Sequence, residues 1–135
     1  MRYSTAGFSD EQMAVLAVVE KFLQGVEAHD KNLMLAQILP SGAATLLRNE
    51  EPLHLTLTGL VERIFNHPKK VSEIISGQPI IAVDRNLAML WAPYEFFFDN
   101  DNVIDHVGTA AYTFAKQDGK WLISSVADNS HPGWD

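Results

Sequence analysis

The run from Val103 to Phe114 alternates in the manner of a strand. It ends in a tight turn at Gln117-Asp118-Gly119-Lys120 and returns from Trp121 to Asp128. Two β-rich runs joined by an Asp-Gly turn predict a long hairpin, against which the rest of the chain must pack. Successive side chains on a strand point to opposite faces, so His106, Gly108, Ala110, Tyr112 and Phe114 share one face. An imidazole, a phenol and two very small residues read as the floor of a pocket, since a filled core would carry Val or Leu at Gly108 and Ala110.

A chain of 135 residues supports one domain, large enough to bury about two-thirds of its unfolded surface. Its formal net charge of −7, with no basic run longer than Lys69-Lys70, argues against a nucleic-acid backbone or an anionic membrane surface as partner. Without cysteine there is no disulfide, thiolate nucleophile or Cys-based metal site. The first residues lack the apolar stretch of a signal peptide, and no apolar run approaches a membrane span, so a cytoplasmic protein is expected.

Ser9 and Gln12 fit a capping box, followed by a helical stripe of Val15, Leu16, Val19, Phe22, Leu23 and Val26 running to about His29. Asp30 can cap a second short helix, which Pro40 stops. Ala43 to Leu47 and Leu53 to Leu57 read as strands around a turn at 48–52, and Thr58 can cap a third helix ending before Pro68. Strands are then expected at Val71 to Ile75, Pro79 to Val83, Leu87 to Phe98, Val103 to Lys116 and Lys120 to Asp128, with 99–102 as a hairpin turn. Helices first and an antiparallel meander second predict an α+β domain over residues 9–128, between a flexible N-terminus (1–8) and a tail (129–135).

The order of elements, the stretch Ala88 to Phe96, Asp105-His106-Val107-Gly108 and the ending Lys116 to Ile123 followed by Asp128 resemble the nuclear transport factor 2-like superfamily. The resemblance is to its SnoaL-like branch in particular, and it covers about Asp10 to Asp128. It implies a cone-shaped α+β fold: N-terminal helices on a strongly curved antiparallel sheet that encloses a pocket. Enzymes of this fold place Asp, His and Tyr side chains inside the cone and need no cofactor. Many other members bind ligands without catalysis. The hairpin is also similar to that of scytalone dehydratase, but that enzyme's two catalytic histidines have no clear equivalents here.

His106 is a candidate general acid or base, because imidazole titrates near neutral pH. Asp128 would join it if the Asp118-Gly119 loop has three residues, falling opposite Gly108, and would point away if the loop has two. On the strand from Leu87 to Phe98 one face carries Trp91, Pro93, Glu95 and Phe97, and the other Ala92, Tyr94, Phe96 and Phe98. The resemblance favours the first face inside, bringing Glu95 into the pocket, where burial would raise its pKa. Tyr112, Ser124 and His54 would line the pocket with hydrogen-bonding groups, Trp91 and Phe97 would form its apolar wall, and Gly108 would leave it room. No histidine spacing suits a metal, and 99–102 lacks the ligand pattern of a calcium loop.

These readings predict a cofactor-independent enzyme of isomerase, cyclase or dehydratase type acting on an apolar, oxygenated small molecule. The alternatives are a non-catalytic ligand-binding or dimerisation module and a protein-interaction module. If the Trp91 face lines the pocket, Tyr94, Phe96 and Phe98 form an exposed patch that a two-fold homodimer would cover.

Overall fold

The computed structural model describes residues 2–48, 51–98 and 103–133. Among these residues three helices pack on one curved sheet of eight strands. Helix α1 (Asp10–Ala28) starts at the expected capping box: the Ser9 hydroxyl accepts from the Gln12 amide, and the Gln12 side chain accepts from the Ser9 amide. It ends at His29, whose left-handed backbone stops the helix. Helix α2 (Lys31–Leu35) is capped by Asp30, as the sequence indicates. It is shorter than expected, because strand β1 (Ile38–Arg48) already begins at Ile38 and carries Pro40 within it.

Strand β2 (Glu51–Thr56) leads into α3 (Leu57–Phe65). The cap of α3 is Thr56 rather than Thr58. Thr56 Oγ1 accepts from the Gly59 amide at 2.9 Å, whereas Thr58 Oγ1 donates to the Pro40 carbonyl. The remaining strands are β3 (Val71–Ile75), β4 (Ile80–Asp84), β5 (Leu87–Phe98), β6 (His106–Gln117), β7 (Lys120–Asn129) and the two-residue β8 (His131–Pro132). The main order is β2-β1-β7-β6-β5-β3, with β4 on β5 and β8 on β6. All pairs are antiparallel except β1 with β7, which no hairpin joins. The expected turns at 48–52 and 99–102 include residues outside those described.

Ser4 exchanges two hydrogen bonds with Gln78 of the β3–β4 connection, Tyr3 and Phe8 pack against the core, and the first residues of the tail join the sheet as β8. The core lies between α1 and the inner sheet face, with Val15, Val19, Met34, Leu90, Phe114 and Ile123 almost fully buried. Among the described residues no helix is long and apolar enough to cross a membrane.

Candidate functional site

Beside this core the helices and the sheet enclose a cavity of ≈ 140 Å³. Apolar side chains from α1 (Phe22, Leu23, Val26), α3 (Leu57, Leu60, Ile64) and the sheet (Leu46, Phe96, Val126) form most of its wall. Exposed Arg63 and half-buried Leu60, Ile64 and His67 mark its rim. The polar groups that reach it are Arg48 of β1, Glu73 of β3, His106 and Tyr112 of β6, and Asp128 of β7.

His106 and Tyr112 share the inner face of β6, as their spacing predicts. Asp128 joins them by an unexpected route. The Asp118-Gly119 loop has two residues, with Gln117 opposite Lys120, which alone would turn Asp128 outward. Thr113 pairs with Ser125 and Phe114 with Ile123, so Ser124 is an extra residue, a β-bulge that reverses the parity of everything after it. Asp128 consequently faces inward opposite Ala110, not Gly108. Ser124 itself does not line the cavity. Thr113 Oγ1 bonds the hydroxyls of both Ser124 and Ser125, at 2.7 and 2.5 Å.

The face of β5 that packs inward is the reverse of the one expected. Ala88, Leu90, Ala92 and Tyr94 are buried and Phe96 lines the cavity, whereas Trp91 is 49% exposed. Trp91 and Phe97 therefore lie on the outer face, because small Ala88 and Ala92 and not the Trp fit beneath the helical layer. Glu95 is outside as well, bonded to Arg2 at 2.6 Å, and its Oε1 has no partner among the described residues. His54 stands on β2, exposed and bonded to Thr45, away from the cavity. Gly108 does not open volume in the pocket either. A Cβ there would collide with the Asn129 carbonyl, to which the Tyr94 hydroxyl donates at 2.6 Å. The glycine serves a close backbone approach.

Glu73 is the cavity carboxyl that the sequence reading overlooked. It alternates with buried Val71 and Ile75 on β3, a period-2 pattern that puts a carboxyl on the inward face. Burial pushes its pKa up to about 8, the Asp128 charge adds to the rise, and Arg48 opposes it. Glu73 is thus mostly protonated at pH 7. Asp128 has a cation of its own: Arg48 Nη1 lies 2.7 Å from its Oδ1. Burial works hardest against the Arg48 charge, but the bond to Asp128 and the charges of Asp128, Tyr94 and Glu73 together outweigh it and raise the guanidinium pKa.

Tyr112 is 6% exposed, and its phenol has no hydrogen-bond partner among the described residues. Burial first, then the charges of Glu73 and Asp128, hold its pKa well above 10.0, so it keeps its proton. His106 stacks on Phe96 with ring centres 4.5 Å apart and meets the Tyr94 ring edge-on. Its Nδ1 lies 2.9 Å from Asp105 Oδ2. A carboxylate only accepts, so Nδ1 carries the hydrogen and a neutral ring presents its lone pair at Nε2. The cavity therefore combines two groups that hold protons with one oriented base. Among the described residues no three His, Asp or Glu side chains gather as metal ligands would.

No protein-family model matches the sequence, and no curated protein does. Solved structures do resemble it. An NTF2-like protein of unknown function from Shewanella baltica OS155 superposes with a TM-score of 0.70 at 19% identity, over 96% of this chain and 100% of that one. An NTF2-like protein from Cytophaga hutchinsonii gives 0.76 at 11% identity, over 91% and 100%. A candidate dehydratase of the NTF2-like family from Streptomyces avermitilis gives 0.71 at 10% identity, over 90% and 96%. At these identities the likeness is one of fold.

Proposed function

We propose that this chain, which has the nuclear transport factor 2-like fold, is a cytoplasmic, cofactor-independent enzyme of proton-transfer chemistry. Its substrate is an apolar small molecule bearing a carbonyl or hydroxyl oxygen, and its reaction an isomerisation, cyclisation or dehydration. The observation that supports this reading most is the pairing, in one cavity, of the oriented His106 imidazole with the protonated Glu73 carboxyl. His106 Nε2 removes a proton from carbon. Glu73 and Tyr112 donate hydrogen bonds to the substrate oxygen as negative charge develops on it, the point at which donors lower a barrier most. Asp128, neutralised by Arg48, stays out of the proton traffic and helps hold the proton on Glu73.

Deuterium exchange tests this without knowledge of the natural substrate. Cyclohexanone in D₂O, followed by NMR, should exchange its α-protons faster with the protein than with buffer alone. His106→Ala should lower that rate by ~10²–10⁴-fold, the usual worth of a general base. Binding of cyclohexanone without accelerated exchange would favour a ligand-binding module instead.

We also propose a homodimer formed through the outer sheet face. Ile80, Leu87, Met89 and Trp91 are 61%, 60%, 38% and 49% exposed there, and Ile80 pairs directly with Trp91 across β4 and β5. A contiguous apolar patch of this kind on a sheet is what a two-fold partner covers.

A further inference from the structure

We propose that the molecule entering this cavity is a small carboxylic acid, a compact ring-sized apolar body whose carboxylate is held at the rim by the Arg63 guanidinium. This rests on the reading of the cavity as a small-molecule site and adds the charge of what it takes.

Arg63 lies in the last turn of α3, exposed and lining the rim. A cation near a helix C-terminus is favourable in its own right, but that does not require it to face a cavity. The other arginines among the described residues are engaged: Arg2 with Glu95, Arg48 with Asp128 and Arg85 with Asp84. Arg63 has no hydrogen bond or ion pair among the described residues, in a chain with 17 acidic and 10 basic side chains. An unpaired guanidinium at the mouth of a cavity in so acidic a protein marks a place for an anion.

The charge inside agrees. Arg48 and Asp128 neutralise one another, and Glu73 holds its proton at pH 7, so the lining carries one net positive charge from Arg63. The whole chain, by contrast, stands at −7. His67 shares the rim, its Nδ1 engaged by the Lys69 backbone, which leaves Nε2 to a ligand. A guanidinium matches a carboxylate with two parallel charge-assisted hydrogen bonds, a fit that a neutral oxygen cannot reproduce.

Size bounds the body of the ligand. An apolar cavity of about 150 Å³ holds benzene, and this one measures ≈ 140 Å³ with Phe22, Leu57, Ile64 and Phe96 in its wall. The Tyr112 and Glu73 donors inside suit a second oxygen on the same molecule.

Benzoate and benzamide share size and shape and differ by one charge, so calorimetric titration of both at pH 7 and low ionic strength is the test. Benzoate should bind about tenfold tighter to the native protein. Arg63→Gln, on an exposed helical position that tolerates Gln, should bring the two affinities together without lowering the melting temperature. Equal binding of both probes to the native protein would overturn the acid assignment and leave the cavity reading standing. A benzoate preference that survives Arg63→Gln would overturn it too, since Arg63 would not be the anchor. Failure of both probes to bind at millimolar concentration would overturn the acid assignment and the cavity reading together.

Discussion

Glu73 and Asp128 open into the same cavity, yet only Asp128 has a cation beside it, with Arg48 at 2.7 Å. The surroundings of the two carboxyls therefore differ, and they bear on the proton of Glu73. Asp128 is held in an ion pair, and Glu73 keeps its proton at pH 7.

The raised Glu73 pKa sets the pH dependence of stability. The unfolded carboxyl releases its proton near the ordinary 4.5 and the folded one near 8. Between those values the folded state holds a proton that the unfolded state has lost, so stability falls as pH rises through the window and levels off above it. Urea denaturation at intervals from pH 4.5 to 8 should show a slope of up to ~1.4 kcal/mol per pH unit from this group. Glu73→Gln should remove that slope. A variant that keeps it would show that the proton resides elsewhere.

Arg48→Met should destabilise the fold by roughly 1–3 kcal/mol, because it strands the Asp128 carboxylate without its partner. Asp128→Asn in the same chain should recover part of the loss. Chemical denaturation of the two single variants and the double variant measures the coupling. Additive losses would mean that the pair does not act as a unit.

Gly108→Ala should be costly for so small a change, about 1–3 kcal/mol, because the new methyl drives into the Asn129 carbonyl. Tyr94→Phe removes the hydrogen bond to that same carbonyl and should cost about 1 kcal/mol. Thermal melts of the two variants would show whether the order holds.

Trp91→Glu should yield a particle of 15.0 kDa by sedimentation at micromolar concentration, where the native chain sediments at twice that mass. The substitution places charge in the centre of the outer apolar patch and touches no cavity group. A native protein that already sediments as a single chain would rule out the dimer.

Much of the scaffold could be read from residue order because its signals are local. The Ser9–Gln12 box, the Asp30 cap and the Asp118-Gly119 turn involve neighbours in sequence, and the shared face of His106 and Tyr112 follows from parity within one strand. The orientation of β5 is not local. Aromatic residues occupy both of its faces, so alternation alone gives no direction, and the answer rests on which face lies under α1. Ala88 and Ala92, small residues on one face, carry the trace of that contact. Glu73 escaped notice because a charged residue in a five-residue strand reads as solvent-facing unless Val71 and Ile75 are set beside it.

The bulge at Ser124 makes the chemistry of the cavity depend on strand pairing at a point that never touches it. Pair the same residues without the bulge and the hairpin could still close, yet Val126 and Asp128 would exchange places with Ala127 and Asn129 on the two faces. The cavity would trade a carboxylate for an amide, and Arg48 would face no anion, without any substitution having been made. In this hairpin a frame of counting, as much as the identity of any side chain, decides which groups meet inside.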